Sequence, residues 1–170
     1  MNDTLVHWCI NTPLAPLQIQ VNERGILTST FVKNFTPNGT YDSAVIHAHI
    51  QSVEQWIEAY FTKTKGPSLT FDLYNLTDFH QQVLRQLCRI PIGTTVSYSD
   101  LANMCSRPLA ARAVGSAMAN NPIGLMIPCH RVVKKDGSLG AYSGWNGTAT
   151  KKLLLEFESQ DSSFDEFMSG

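Results

Sequence analysis

IGLMIPCHRVV, residues 123–133, carries the reading of the C-terminal half of the chain. Its flanks, Ile123–Ile127 and Val132–Val133, are apolar runs of the kind that form buried strands. Between them stand Pro128, Cys129, His130 and Arg131. A cysteine in an apolar stretch is ordinarily an inert member of the core. This one is followed by an imidazole, which can take a thiol proton, and by a guanidinium, whose charge favours thiolate. Alternation along a regular strand would point Cys129 and His130 to opposite faces. The two can cooperate only if the backbone bends at Pro128 or a water bridges thiol and imidazole. A carboxylate is then needed to orient the other ring nitrogen. The candidates downstream are Glu156 and Glu158, on a helix predicted to start near Thr148 or Thr150, beyond a hairpin-turn signal at Asp136-Gly137.

Upstream of this stretch, Asn120-Asn121-Pro122 ends a helix predicted over Leu109–Ala119, LAARAVGSAMA. Ser106-Arg107-Pro108 separates it from a short helix over Tyr98–Cys105, opened by a Ser97–Asp100 capping-box variant. Two helices across so short a turn read as a helix-turn-helix. The second is mostly Ala, Gly and Ser, with Arg112 its only charge. Small side chains let a helix axis approach either another helix or a DNA surface closely. Further back, Thr77 can cap a helix carrying Phe79, Val83, Leu84 and Leu87 on one face, ending before Pro91 and Gly93. Residues 62–76, with Gly66 and Pro67, read as an interdomain link. Before them, LVHWCI, LQIQV and ILTSTFV are predicted strands, residues 34–42 a loop, and Ser43 the cap of a helix to about Phe61. The expected fold is therefore mixed α/β (α+β). A small strand-rich domain with one helix occupies residues 1–76. A mostly helical domain with the helix-turn-helix and Pro-Cys-His-Arg occupies 77–158, and an acidic tail, expected to be disordered, occupies 159–170.

Taken in order, SY--LA, AARAVG--M--NP, IPCHRVV, Y-G and LL--E resemble the O⁶-alkylguanine-DNA alkyltransferases from about Thr77 to Glu158. The resemblance implies repair of DNA by a stoichiometric, irreversible transfer of an alkyl group from O⁶-alkylguanine to Cys129, with O⁴-alkylthymine an open second substrate. His130 would be the base acting through a water, and Asn121 would support the turn before Cys129. Tyr98 would meet the 3′ phosphate and give a proton to the leaving guanine. The LL--E pattern selects Glu158 as the carboxylate behind His130 and sets Lys151 where the family usually has a lysine; counting rigidly from the cysteine would select Glu156. Arg112 would fill the gap left by the extruded nucleotide, with Tyr98, Ala111, Gly115 and Arg131 also at the DNA. Tyr142, Ser143, Val132 and Met118 would border the alkylated base. Two departures stand out: Leu109, where many relatives have a small or basic residue, and Trp145-Asn146-Gly147, which lengthens the substrate loop by two residues.

Composition narrows the alternatives. Residues 1–75 hold four Lys/Arg and six Asp/Glu, residues 76–153 nine and three, and residues 154–170 none and five. A basic middle would suit phosphate, although charge alone fits a plain solvated surface equally well. The start MNDTLVHWCINTP lacks a signal-peptide pattern and no apolar run reaches membrane-span length. The expectation is a soluble monomer that is not secreted, cytoplasmic if prokaryotic and nuclear if eukaryotic, with cooperative loading on DNA left open. Cys9, Cys88, Cys105 and Cys129 form no CxxC pair, so neither a disulfide framework, a structural zinc nor any cofactor is expected. Three rival readings fit the residues less well. A noncatalytic binder of alkylated DNA would lack the cysteine. A Cys-His-Glu hydrolase would need an oxyanion hole and a further histidine. A transcription regulator would need more base-reading side chains than Arg112 and Ser116.

Overall fold

The computed structural model describes residues 4–34 and 40–169, so part of the predicted loop 34–42 lies outside the described residues. The chain divides into two compact units, residues 1–73 with 161–170, and residues 74–160. The division falls three residues before the expected link ends.

In the first unit, β1 (Val6–Ile10), β2 (Leu17–Asn22) and β3 (Gly25–Phe31) form an antiparallel meander in the order β1-β2-β3. The alternation that predicts β2 is seen in its burial: Leu17, Ile19 and Val21 are buried, while Gln18 and Gln20 are half exposed. The β2–β3 turn closes when Asn22 Oδ1 accepts from the Arg24 and Gly25 amides at 2.8 and 3.1 Å. Gly25 has φ +139°, and a Cβ there would lie 2.6 Å from the Thr70 carbonyl, so only glycine lets the segment behind it approach. That segment pairs with β3 through Ile26 N to Thr70 O (3.0 Å) and Asp72 N to Ile26 O (2.8 Å). Part of the predicted link is therefore built into the unit. Helix α1 (Ala44–Thr62), capped by Ser43, covers the sheet with Ile46, Ile50, Val53 and Ile57, all buried at helical spacing.

In the second unit, α2 (Asp78–Leu87) is capped by Thr77 and buries Val83, Leu84 and Leu87, each worth about 1.5–3 kcal/mol relative to exposure. β4 (Val96–Ser97) runs parallel to β5 (Val132–Val133), with Val96 opposite Val132. Ser97 and Asp100 form the predicted capping box of α3 (Tyr98–Met104). Helix α4 (Ala111–Ala119) packs on α3 and α2, starting two residues later than predicted, and α5 (Thr148–Glu158) ends the unit.

Two expectations are corrected. Ile123–Ile127 is not a strand: it is a buried turn with Ile127 N bonded to Ile123 O (3.0 Å) and Leu125 at φ +66°. The apolar run reflected burial, which periodicity cannot separate from strand. The acidic tail contains α6 (Phe164–Ser169), and it is anchored in the first unit by Phe164, which is 3 % exposed and edge-on to Phe61 at 5.1 Å. Two phenylalanines among the acids supply the burial that composition alone hides. No helix among the described residues is long and apolar enough to cross a membrane.

Candidate active site

Asn121 follows the end of α4 and ties the turn together. Its Oδ1 accepts from Ile123 N (3.0 Å), and its Nδ2 donates to Ile127 O (3.0 Å) and to Cys129 Sγ (3.3 Å). Leu125, buried in the left-handed region, costs about 1–3 kcal/mol of backbone strain, which this stitching and its own burial offset. Past Pro128 (φ −81°, ψ 63°) the chain makes one 3₁₀ turn, Cys129–Arg131. This turn resolves the difficulty that a strand would have posed. Three successive side chains leave it in different directions.

Cys129 lines an open cavity of about 190 Å³ with Tyr98, Gly115, Met118, Tyr142 and Ser143. Burial pushes its thiol pKa up, against the opposing pull of Asn121, the Lys151 ammonium and the Cys129 and His130 amides. The group is therefore a thiol at rest and needs a base. His130 is fully buried, and its Nε2 lies 2.7 Å from Glu158 Oε1. Its Nδ1 is buried with no hydrogen-bond partner. Burial pushes the His130 pKa down more than Glu158 raises it, with Arg131 and Lys151 lowering it further, so the ring is neutral at pH 7. An ionised Glu158 only accepts, which places the ring proton on Nε2 and leaves a lone pair on Nδ1.

Glu158 is held from a second side. Arg131 Nε donates to its Oε2 (2.8 Å) and Nη2 to its Oε1 (2.9 Å), while Arg131 Nη1 donates to Ile90 O (2.7 Å). The Gly93 amide reaches Oε2 at 3.4 Å. Burial alone would raise the Glu158 carboxyl, but the hydrogen bonds from His130 and Arg131 outweigh it and keep it far below the usual carboxylate range. Lys151, 1 % exposed, donates from Nζ to Val132 O at 2.6 Å.

The sequence comparisons bear on this arrangement. The family model for the DNA-binding domain of 6-O-methylguanine DNA methyltransferase matches residues 78–160. The methylated-DNA–protein-cysteine methyltransferase of Mus musculus is 36 % identical over 167 residues, covering 88 % of this chain and 79 % of its own. That of Mycobacterium bovis is 36 % identical over 160 residues, covering 91 % and 93 %. This chain belongs to the methylated-DNA–protein-cysteine methyltransferase family. A crystal structure of Mycobacterium tuberculosis OGT in complex with DNA is similar to this methyltransferase throughout, with TM-score 0.74, 31 % identity and 95 % and 98 % coverage.

The methyltransferase pairs Cys129 with Asn121 and the adjacent His130 with Glu158, and it sets Tyr98, Met118, Tyr142 and Ser143 around the thiol's cavity. Glu156 is exposed and pairs with Lys152 at 3.6 Å. Arg112 is exposed and Ala111 half exposed on α4; Gly115 lies against the Tyr98 ring, where a Cβ would make contact at 3.7 Å. Two expected roles are corrected. Arg131 does not face outward to DNA: it is 8 % exposed and spends its donors on Glu158 and Ile90. Val132 does not line the cavity; it is fully buried in β5, and its carbonyl receives Lys151. What sequence reasoning missed is the Arg131–Glu158–Ile90 clasp. The signal available was an arginine between His130 and two valines, which is an expensive place for a charge unless it is paired.

Proposed function

We propose that this protein repairs DNA by accepting an alkyl group from O⁶-alkylguanine on Cys129, once per molecule. The single observation that carries the reading is the fully buried His130 next to Cys129 in the 3₁₀ turn. Its Nε2 is 2.7 Å from Glu158 Oε1, and its buried Nδ1 has no hydrogen-bond partner, so a lone pair is left to take a proton.

In this reading His130 Nδ1 takes the Cys129 proton through a water, and the imidazolium that forms is stabilised by Glu158. The thiolate attacks the alkyl carbon in line; the S–C bond forms as the C–O⁶ bond breaks. The departing guanine takes a proton from Tyr98. Burial, with the nearby Cys129, raises the Tyr98 pKa, so the phenol is intact at neutral pH, and it regains its proton from the imidazolium by way of water. The products are a thioether and guanine. Among the described residues no second thiol lines the cavity to reverse the transfer, so the protein is consumed. Cys88 and Cys105 lie elsewhere, at the end of α2 and just after α3.

The alkylated base of a duplex is shut inside the stack, so it must be everted into the cavity. The exposed face of α4 supports this step. Arg112, Ala113, Ser116 and Ala119 are exposed there, a mostly small-residue surface that would enter the minor groove with Arg112 in the vacated place. The partner is thus double-stranded DNA, read through backbone and stacking more than base sequence. The protein acts as a monomer.

Intact-protein mass spectrometry after incubation with an O⁶-methylguanine duplex tests the reading. One methyl on Cys129 and no further turnover is expected, with Cys129→Ser unmodified but still binding DNA. Methyl groups processed in excess of protein, or transfer persisting in Cys129→Ser, would reject it.

A further inference from the structure

The first unit contributes none of the residues assigned to alkyl transfer, yet it holds an open cavity of about 470 Å³. That is within the range of sites that take a ligand of several side chains. One wall is a stripe of α1, where Glu54, Ile57, Glu58 and Phe61 recur at i, i+3, i+4 and i+7. The opposite wall is Phe164 and Asp165 of α6, with the Phe164 ring set edge-on to Phe61. The lining is mostly apolar and includes three carboxylates, Glu54, Glu58 and Asp165.

We propose that this cavity docks a basic peptide segment of a partner protein. One aromatic or long aliphatic side chain fills the floor, and flanking Lys or Arg side chains meet Glu54, Glu58 and Asp165. No Lys, Arg or His lines the cavity. Among the described residues none of the three carboxylates is in an ion pair. Glu54 gives one oxygen to Trp8 Nε1 (3.1 Å) and keeps the other. Lys65 shares a shallower neighbouring hollow with Glu58 but does not pair with it. The unit as a whole is acidic, with four Lys/Arg against nine Asp/Glu over residues 1–73 and 161–170. Carboxylates beside low-dielectric walls concentrate their field at the cavity mouth and repel phosphate. A polyamine would satisfy the rim and leave the floor wet; a neutral apolar group would fill the floor and leave the rim unpaired. An amphipathic cation satisfies both, which is the anchor-and-rim pattern of peptide recognition.

The experiment is a fluorescence-anisotropy titration of the full chain with a labelled, capped Lys-Lys-Phe-Lys-Lys peptide, with amide chemical-shift mapping. Saturable binding is expected, with shifts confined to the walls of the cavity. Affinity should fall at least tenfold in the Glu58→Gln/Asp165→Asn variant, and likewise when the peptide's Phe is replaced by Ser. Thr62→Trp, which plugs the mouth and keeps every carboxylate, should abolish binding; far-ultraviolet circular dichroism checks that each variant is folded. Three results overturn the proposal: spermine binding as tightly as the peptide, an unchanged affinity in both variants, or a dimer in sedimentation whose contact covers the cavity. Alkyl transfer, read in parallel, should be unchanged throughout, so failure of this site is separable from failure of the transfer reading.

Discussion

Glu158 accepts from two buried side chains, the His130 imidazole and the Arg131 guanidinium. Its removal therefore has two measurable consequences. Glu158→Gln leaves the His130 ring without an ionic partner, and the rate of single-turnover transfer should fall by about 10²-fold or more. The same change strands the Arg131 guanidinium in the interior, which should cost about 3–5 kcal/mol in urea denaturation. Glu156→Gln, at an exposed pair with Lys152, should move neither quantity appreciably. A larger kinetic loss at position 156 than at 158 would overturn the assignment. The direction of the pH response follows from the same residues. His130 is depressed from 6.5 by burial, and Glu158 from 4.5 by its hydrogen bonds, so in both windows the unfolded chain binds more protons than the folded one. Stability should be full above about pH 6.5. It should fall as pH drops through the His130 window, and fall again below 4.5 through that of Glu158. Thermal melts between pH 8 and 3 check this; a melting temperature that rises on acidification would contradict it.

Helix α4 is where the element and its task can be separated. Its inner face, Val114, Ala117 and Met118, is buried, whereas the Arg112 side chain stands exposed on the other side. Arg112→Ala should therefore leave the melting temperature nearly unchanged. It should reduce repair of a duplex far more than reaction with a free alkylated base, and equal losses on both substrates would remove Arg112 from base eversion. The helices were legible in the chain because their caps and spacing are local: Thr77, the Ser97–Asp100 box and the Asn120-Asn121-Pro122 stop each act within one turn. Cys129 and His130 could be singled out as candidates through the order of motifs around them. The turn at Ile123–Ile127 was not, because its geometry is set by Asn121 side-chain bonds to atoms up to eight residues away. The inward swing of Arg131 was not either, since its partners Ile90 and Glu158 lie 41 and 27 residues distant. Apolar neighbours announce burial; they do not say which charge will be buried with them.

At the scale of the molecule, the acidic C-terminal residues belong to the N-terminal unit, and a chain that ends where it began has a testable signature. Phe164→Ala should destabilise the first unit by about 3–5 kcal/mol, the range for deleting a buried ring. Hydrogen exchange should localise the loss to β1–β3 and α1, while amides of α2–α5 keep their protection. Uniform loss across both units would mean that they unfold as one. The clasp on Glu158 has a consequence of a different kind. Helix α5 is held at its far end by Arg131 and His130 and partway along by Lys151, in addition to the Asn146 N to Thr150 Oγ1 bond (3.1 Å) from the loop that leads into it. A change of length in residues 142–147 should therefore leave the register of Glu158 with His130 and Arg131 in place.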